Sequence, residues 1–248
     1  MMVDKIKISP RYEDISNITN YTQNIVKSNS SIPFFPPCKN MAFVSGFGNT
    51  LKRLNGNAKP YSHFDWFYKS NGNGLRQSGG ELQLPPYGLW GGFETELIAV
   101  HVINEELKPI YLGYTVGLDF TNTGLRRKYP QFQNLSHLSQ TMVANFIIPE
   151  KFPEKVKLRT KIIRDKDFIW DSIDLAGNSN MWVSCNELID VLLRNQEILS
   201  KGMVFYTLTG AVVSSDKAGV QLQHGDRINI NLDEISIGLD ATFVVACT

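Results

Sequence analysis

The sequence predicts a mixed β, α+β fold with a small helical and loop region at its N-terminus. Short apolar runs separated by Gly, Asn and Pro turns dominate the chain from residue 64 onward, which is typical of a β-rich core. Helical periodicity is confined to a segment near the N-terminus and to one segment after residue 184. With 248 residues, 42% of them hydrophobic, the chain can bury one sizeable core.

The N-terminal region, residues 1–63, is predicted to contain one amphipathic helix followed by loops. Tyr12, Ile15, Ile18, Tyr21 and Ile25 recur at three- and four-residue steps, as on one face of a helix. A Pro-rich turn follows, and residues 43–49 then read as a strand with a glycine turn. We expect the core to occupy residues 64–248.

The core is predicted to contain seven strands and one helix. Ser184 can cap the helix, because Glu187 stands at the capping-box position before an apolar segment. The apolar runs that predict strands are Trp66 to Tyr68, Leu97 to Ile103, Tyr111 to Val116, Val156 to Ile163, Met203 to Leu208, Arg227 to Leu232 and Ala241 to Ala246.

Composition argues against a nucleic-acid or membrane partner. The formal net charge is +1, and the basic run Arg126-Arg127-Lys128 is too short to predict nucleic-acid binding. No apolar run approaches the roughly 20 residues that a membrane span needs, and no signal-peptide core follows Met1. The three cysteines lie far apart, which favours free thiols in a reducing compartment; we expect the cytoplasm.

Three carboxylates, Glu94, Glu96 and Asp119, form the candidate metal site. Residues i and i+2 of a strand share a face, so Glu94 and Glu96 can point the same way, and a hairpin return brings Asp119 beside them. Oxygen ligands favour Mg²⁺ first, then Mn²⁺ or Ca²⁺. The alternative is that the two glutamates are the solvent side of an amphipathic strand. Against it, they stand within an apolar run, where unpaired charges are costly.

Residues 43–246 resemble the fumarylacetoacetate hydrolase superfamily in a set of ordered motifs. The opening segments, Val44 to Thr50 and Asp65 to Lys69, are most similar to the branch that contains 2-keto-3-deoxy-sugar-acid dehydratases. The superfamily motifs are Trp66-Phe67-Tyr68-Lys69, Glu94-Thr95-Glu96, Gly113-Tyr114-Thr115-Val116 ending at Asp119, Gly202-Met203-Val204 leading to Thr209-Gly210-Ala211, and Gly225-Asp226-Arg227-Ile228.

The resemblance implies a β-roll core, a homodimer, and Mg²⁺ bound by the three carboxylates. It also implies a 2-oxo acid or 1,3-dicarbonyl substrate, whose carboxylate would be bound by the turn Thr209-Gly210-Ala211. Lys69 would be a fixed positive charge near the site; the alternative is an ordinary surface lysine.

Two departures from the superfamily pattern affect the expected proton chemistry. Gln140 stands where relatives commonly have a catalytic lysine, and an amide can orient a substrate but cannot transfer a proton. Leu51 stands near the position of a common histidine. His63 and His137 are the reserve candidates for the proton, and for each the alternative is an ordinary surface or hydrogen-bonded histidine.

The sequence therefore predicts a Mg²⁺-dependent enzyme, with a lyase (dehydratase or decarboxylase) favoured, in a specialised biosynthetic pathway. The absence of the usual Lys and His removes water activation more clearly than it removes enolate stabilisation. A C–C bond hydrolase or an isomerase of the same substrate class is the first alternative. A catalytically reduced homologue that only binds a ligand is the second.

Overall fold

The computed structural model describes Pro36, residues 38–52, residues 66–232 and residues 237–245. The helix predicted between Tyr12 and Ile25 and the candidate residue His63 lie outside these ranges. All structural statements below concern the described residues.

The described residues form thirteen β-strands and a few short helices. The α-helices are α1 (Thr123–Lys128), α2 (Gln133–His137) and α3 (Cys185–Leu193). The strands are β1 (Ala42–Phe47), β2 (Trp66–Ser70), β3 (Leu75–Gln77), β4 (Glu81–Leu84), β5 (Gly92–Ile103), β6 (Pro109–Thr121), β7 (Thr141–Val143), β8 (Val156–Arg164), β9 (Asp167–Ala176), β10 (Val204–Leu208), β11 (Val213–Ser214), β12 (Arg227–Leu232) and β13 (Ile237–Val245).

The larger sheet has eight strands and curls into a roll. Its order is β2-β1-β10-β5-β6-β7-β3, and β11 pairs with one end of β5. One cluster of buried apolar residues joins Val44 of β1 to Leu75 of β3 and Val143 of β7, which lie toward opposite edges of the sheet. Lys69 of β2 also donates a hydrogen bond to a backbone carbonyl of β6, several strands away in the sheet order. The sheet therefore closes around an apolar interior, as expected for a β-roll.

The smaller sheet has five strands, in the order β4-β13-β12-β8-β9, and packs against the outside of the roll. Phe93 and Leu97 of β5 share a buried cluster with Leu158 of β8 and Ile230 of β12. Burying each such side chain contributes about 1.5 to 3 kcal/mol. Because side chains alternate along β5, these residues face the small sheet while Glu94 and Glu96 face the interior of the roll.

Helix α3 begins as the sequence predicts. The Ser184 hydroxyl accepts a hydrogen bond from the backbone N–H of Glu187, and the Glu187 carboxylate accepts one from the backbone N–H of Ser184. Leu188, Ile189 and Leu192 are buried on the inner side of the helix. The apolar spacing and the capping box thus agree on the same helix.

The predicted domain boundary at residue 64 separates β1 from the other strands of the same sheet. Strand β1, which falls within residues 1–63, lies between β2 and β10, and its hydrogen bonds to β10 run parallel. Residues 42–47 therefore belong to the core rather than to an N-terminal addition. The boundary itself falls outside the described residues.

Of the helices that the structure describes, none has the length and apolar character to cross a bilayer. In the same part of the chain, Cys38 and Cys185 are free thiols.

Candidate metal centre and adjoining pocket

The structure brings Glu94, Glu96 and Asp119 together at one end of the roll. Strands β5 and β6 are antiparallel, and Asp119 lies directly opposite Glu94, so both side chains project from the same face. Glu96 follows two residues after Glu94 on that face. One oxygen from each carboxylate lies within 4.8 Å of the others. Three oxygen donors at this separation match the requirements of one divalent cation.

Burial makes these carboxylates costly to leave without a cation. Removal from water raises the pKa of Glu94, and the nearby charge of Asp119 raises it further. The pKa of Glu96 lies well above its usual range for the same two reasons, although the hydrogen bond from the backbone N–H of Gly210 opposes the shift. Neither oxygen of Asp119, a fully buried residue, has a hydrogen-bond partner among the described residues. The three side chains therefore fit a divalent cation in charge, spacing and unused acceptors.

Lys69 is buried beneath the carboxylates and forms an ion pair with Asp119. Its ammonium group donates to Phe120 O at 2.5 Å, His137 O at 3.2 Å and Ser139 Oγ at 2.9 Å. An ammonium group has three N–H donors, and these three acceptors account for them in addition to the ion pair with Asp119. The alternative of a surface lysine is wrong, because only 1% of Lys69 is exposed.

His137 lies at the wall of the pocket above the carboxylates. Its ring stacks on Phe67 at a centroid distance of 4.0 Å, and its Nδ1 has no hydrogen-bond partner among the described residues. Burial lowers the pKa of His137 to about 4, so the imidazole is neutral near pH 7. A neutral imidazole with a free ring nitrogen can accept or donate a proton there, depending on its tautomer.

Gln140 points away from the carboxylates. Its side-chain oxygen Oε1 accepts a hydrogen bond of 2.7 Å from the backbone N–H of Gln83, on the edge strand β4 of the small sheet. The residue does not line the pocket. In this arrangement Gln140 ties the roll to the small sheet, and its predicted contact with the substrate would require that tie to break.

The turn Thr209-Gly210-Ala211 supports the metal site through hydrogen bonds to residues of β5. Thr209 Oγ1 donates to Leu97 O at 3.0 Å, and Gly210 N donates to Glu96 Oε2 at 2.7 Å. The backbone φ of Gly210 is +133°, and a Cβ there would lie 1.9 Å from Thr50 Oγ1, so only glycine fits. Two of the donors predicted to bind the substrate, the Thr209 hydroxyl and the Gly210 N–H, are thus already used, and Ala211 alone of the three residues lines the pocket.

A pocket of about 730 Å³ opens above Glu94 and Glu96. Its walls include three basic side chains and one carboxylate that the sequence did not single out as site residues, namely Arg126, Arg127, Lys217 and Asp216. Arg126 and Arg127 belong to α1, which directly follows the β6 strand that carries Asp119. In the sequence, only their position shortly after Asp119, a candidate metal ligand, could have indicated that they lie near the site.

Solved structures confirm the fold predicted from the sequence motifs. The apo form of 2-keto-3-deoxy-D-arabinonate dehydratase matches with a TM-score of 0.69 at 17% identity, over 94% of this chain and 89% of that chain. The dehydratase complexed with magnesium and 2,5-dioxopentanoate gives a TM-score of 0.65 at 20% identity, over 86% of this chain and 76% of that chain. A 5-carboxymethyl-2-hydroxymuconate delta-isomerase from Mycobacterium smegmatis gives 0.61 at 19% identity, over 83% and 80%.

No protein-family model and no curated protein matches the sequence. At the identities of the solved structures, the likeness establishes a shared fold, the one expected from the resemblance to the fumarylacetoacetate hydrolase superfamily. The chemistry is argued from the site itself.

Proposed function

We propose that the protein is a Mg²⁺-dependent enzyme of the fumarylacetoacetate hydrolase superfamily that acts on a 2-oxo acid or a related dicarbonyl, and that it is a lyase. The observation that carries this proposal is the buried set of Glu94, Glu96 and Asp119 at the floor of an open pocket. The dehydratase and the isomerase with this fold act on acids of this general class, and the former was solved with magnesium.

The three carboxylates would hold the cation, and Mg²⁺ there would supply a Lewis acid for the oxygens of a chelating 2-oxo acid. Lys69 holds Asp119 in place through the ion pair. The backbone N–H of Gly210 orients Glu96. These contacts preorganise the site before substrate arrives.

We propose that His137 moves the proton at carbon 3 of the substrate. It is the histidine among the described residues that lines the pocket, and its buried Nδ1 has no hydrogen-bond partner in that part of the chain. Lys69 is less suited to this step, because its three donors are occupied by protein acceptors. Gln140 and His63 remain candidates from the sequence, the former for orienting substrate.

Exchange of solvent deuterium into 2-oxobutyrate tests the proposal. Proton removal at carbon 3 begins a dehydration or an isomerisation, and the enolate left by a decarboxylation or a C–C cleavage is protonated at the same carbon. We expect the carbon-3 signal in proton NMR to disappear in D₂O only with both protein and Mg²⁺ present. Glu96→Gln should abolish the exchange and His137→Gln should slow it by about 100-fold, a typical loss for a general base. His224→Gln, a change at an exposed turn, serves as the matched control. Equal exchange with EDTA or with Glu96→Gln would contradict the proposal.

Mass spectrometry in H₂¹⁸O separates the reaction classes. With 2-keto-3-deoxy-D-arabinonate, a dehydratase releases water and yields a lighter product. With a 1,3-dicarbonyl acid such as acetylpyruvate, a C–C hydrolase incorporates ¹⁸O into the carboxylate of one fragment. An isomerase changes no mass. Mg²⁺-dependent binding without exchange or product would instead support the ligand-binding homologue.

We also propose a cytoplasmic homodimer. Phe168 and Ile173 on β9, at the outer edge of the small sheet, are exposed apolar side chains that a second copy could cover. Light scattering at micromolar concentration should give twice the chain mass. A mass near 28.0 kDa would contradict the dimer.

A further inference from the structure

Arg126 presents its guanidinium group to the pocket with its donors unused. Its Nη2 lies 4.0 Å from Glu94 Oε1 and 3.7 Å from Asp216 Oδ2, both beyond hydrogen-bond distance. Within the described part of the chain, none of its N–H groups donates a hydrogen bond to the protein. Its side chain is nevertheless only 22% exposed. A largely buried guanidinium that has two long ion pairs but no hydrogen-bonded acceptor among the described residues is suited to an oxyanion that enters the pocket.

The neighbouring Arg127 shows why the donors of Arg126 stay unused. Arg127 donates to Asp216 Oδ2 through Nε at 3.1 Å and through Nη2 at 2.8 Å. These charge-assisted bonds hold Asp216, the nearest alternative acceptor for Arg126, at the rim of the pocket. Arg126 is thereby left between a carboxylate engaged by Arg127 and the metal-site carboxylate Glu94.

The formal charges of the described residues around the pocket sum to zero without a divalent cation. Among these residues four carboxylates stand against four basic side chains, the carboxylates being Glu94, Glu96, Asp119 and Asp216 and the basic groups Lys69, Arg126, Arg127 and Lys217. A divalent cation adds two positive charges to this neutral set. A 2-oxo acid with an uncharged tail supplies one negative charge, whereas one with a second anionic group supplies two or more.

We propose that the site selects a 2-oxo acid that carries a second oxyanion, a carboxylate or a phosphate, and that Arg126 binds that group. This inference rests on the proposed function, because it assumes that the first carboxylate lies at the metal centre. The pocket volume of about 730 Å³ accommodates an acid longer than pyruvate. Arg126 is then a specificity-determining residue that contacts the second oxyanion, beside the metal-site carboxylate Glu94.

Calorimetry in saturating Mg²⁺ tests the proposal with four ligands. 2-Oxoglutarate and 2-oxohexanoate have similar lengths and differ in the charge of the tail. Oxalate has two charges without the length, and 2-keto-3-deoxy-6-phosphogluconate places a phosphate at the far end. We expect the wild-type protein to bind one of the two extended acids with a charged tail at least about 10-fold more tightly than 2-oxohexanoate, as one charge-assisted hydrogen bond allows. The tighter of the two identifies the carboxylate or the phosphate as the natural second group.

Arg126→Gln should remove that preference while, in saturating Mg²⁺, the Kd for 2-oxohexanoate stays within about twofold, since only one contact is lost. Arg159→Gln, which breaks an exposed ion pair with Asp171 on the small sheet, is the matched control and should change neither the preference nor this Kd. If Arg126→Gln does not fold, Arg126→Lys keeps the charge without the planar fork and should reduce the preference.

An unchanged preference in Arg126→Gln, or no preference in the wild-type protein, overturns this inference. The proposed function survives that result as long as oxalate and 2-oxohexanoate still bind in a Mg²⁺-dependent manner. If neither binds with Mg²⁺, the proposed function itself fails.

Discussion

Two fully buried aspartates, one in the roll and one beside the small sheet, show how differently a carboxylate can be held. Asp226, beside β12 of the small sheet, accepts 2.8 Å hydrogen bonds from Nε and Nη2 of Arg164 and from the backbone N–H of Gln223. Asp119, in the roll, has an ion pair with Lys69 but no hydrogen bond to either oxygen among the described residues. Asp226 is thus satisfied by the fold alone, while Asp119 and its two glutamate neighbours retain acceptors for a ligand.

The difference separates structural from functional burial of charge. Removing one partner of a buried, hydrogen-bonded pair is destabilising because the other partner is left uncompensated. Removing one of three mutually repelling carboxylates relieves repulsion instead, at the expense of a cation site. The same chemical change should therefore have opposite effects on stability in the two sheets.

The largest expected effect is on metal binding. Glu96→Gln should weaken Mg²⁺ binding by at least about 100-fold, because a ligand oxygen and its charge are lost while the side-chain shape is retained. Calorimetry measures the Kd directly. Glu81→Gln, at an exposed position on β4, is the matched control and should bind Mg²⁺ like the wild-type protein. Equal Kd values for the two variants would show that Glu96 is not a metal ligand, and would contradict the assignment of the cation site to the roll.

Asp226→Asn should have the converse outcome. We expect it to lower the free energy of unfolding by about 3 kcal/mol, since it disrupts the paired hydrogen bonds to Arg164. Urea denaturation in EDTA measures the change, and calorimetry should show an unaltered Kd for Mg²⁺. Weakened metal binding in a folded Asp226→Asn protein would show that Asp226 acts on the metal site.

The dependence of stability on pH sharpens the comparison. Because the pKa of Glu96 is raised in the folded state, the folded state retains its proton to higher pH than the unfolded chain does. Ionisation of Glu96 therefore lowers the free energy of unfolding of the metal-free protein. This loss is absent at low pH and becomes complete as the pH rises through the pKa of the folded state. Glu96→Gln should remove that loss, so in EDTA its stability relative to the wild-type protein should increase from pH 4 to pH 8. Unfolding curves at both ends of this range measure the difference, and a constant difference would contradict the assigned shift.

The smallest expected effect concerns Gln140. Because its amide oxygen bonds to the backbone of Gln83, Gln140→Ala should cost about 1 kcal/mol of stability. The pH–rate profile should keep its shape, since an amide does not titrate. Loss of a titrating limb in this variant would place Gln140 in the proton path. A large rise in KM with unchanged stability would favour the substrate-orienting role predicted from the sequence.

Local patterns in the sequence predicted most of the fold and the metal site. The apolar runs located strands such as β5, β8 and β12, and the i, i+2 spacing with a hairpin return predicted the association of Glu94, Glu96 and Asp119. Strand β9 was missed because its alternate residues are largely exposed and its apolar pattern is interrupted by Asp171 and Asp174. The Asp226 motif resembled the superfamily without revealing that its carboxylate is an internal hydrogen-bond acceptor.

Features that depend on the closed roll could not be predicted from local patterns. The resemblance placed Lys69 near the site, but its strand alone reads as ending in an ordinary lysine, and the curvature of the sheet is what brings it to Asp119. Arg127 and Asp216 meet although they are 89 residues apart in the chain. That pairing leaves Arg126 with unused donors, so the proposed specificity also arises from tertiary structure.

The most direct test of the account is a crystal soaked in Mn²⁺ and measured at the manganese absorption edge. One anomalous peak should lie between Glu94, Glu96 and Asp119, at about 2.0 to 2.3 Å from an oxygen of each. The Asp226 carboxylate should carry no peak, because its oxygens are already engaged by Arg164 and Gln223. A peak at Asp226, or none at the three carboxylates of the roll, would contradict the central claim that the roll holds the cation.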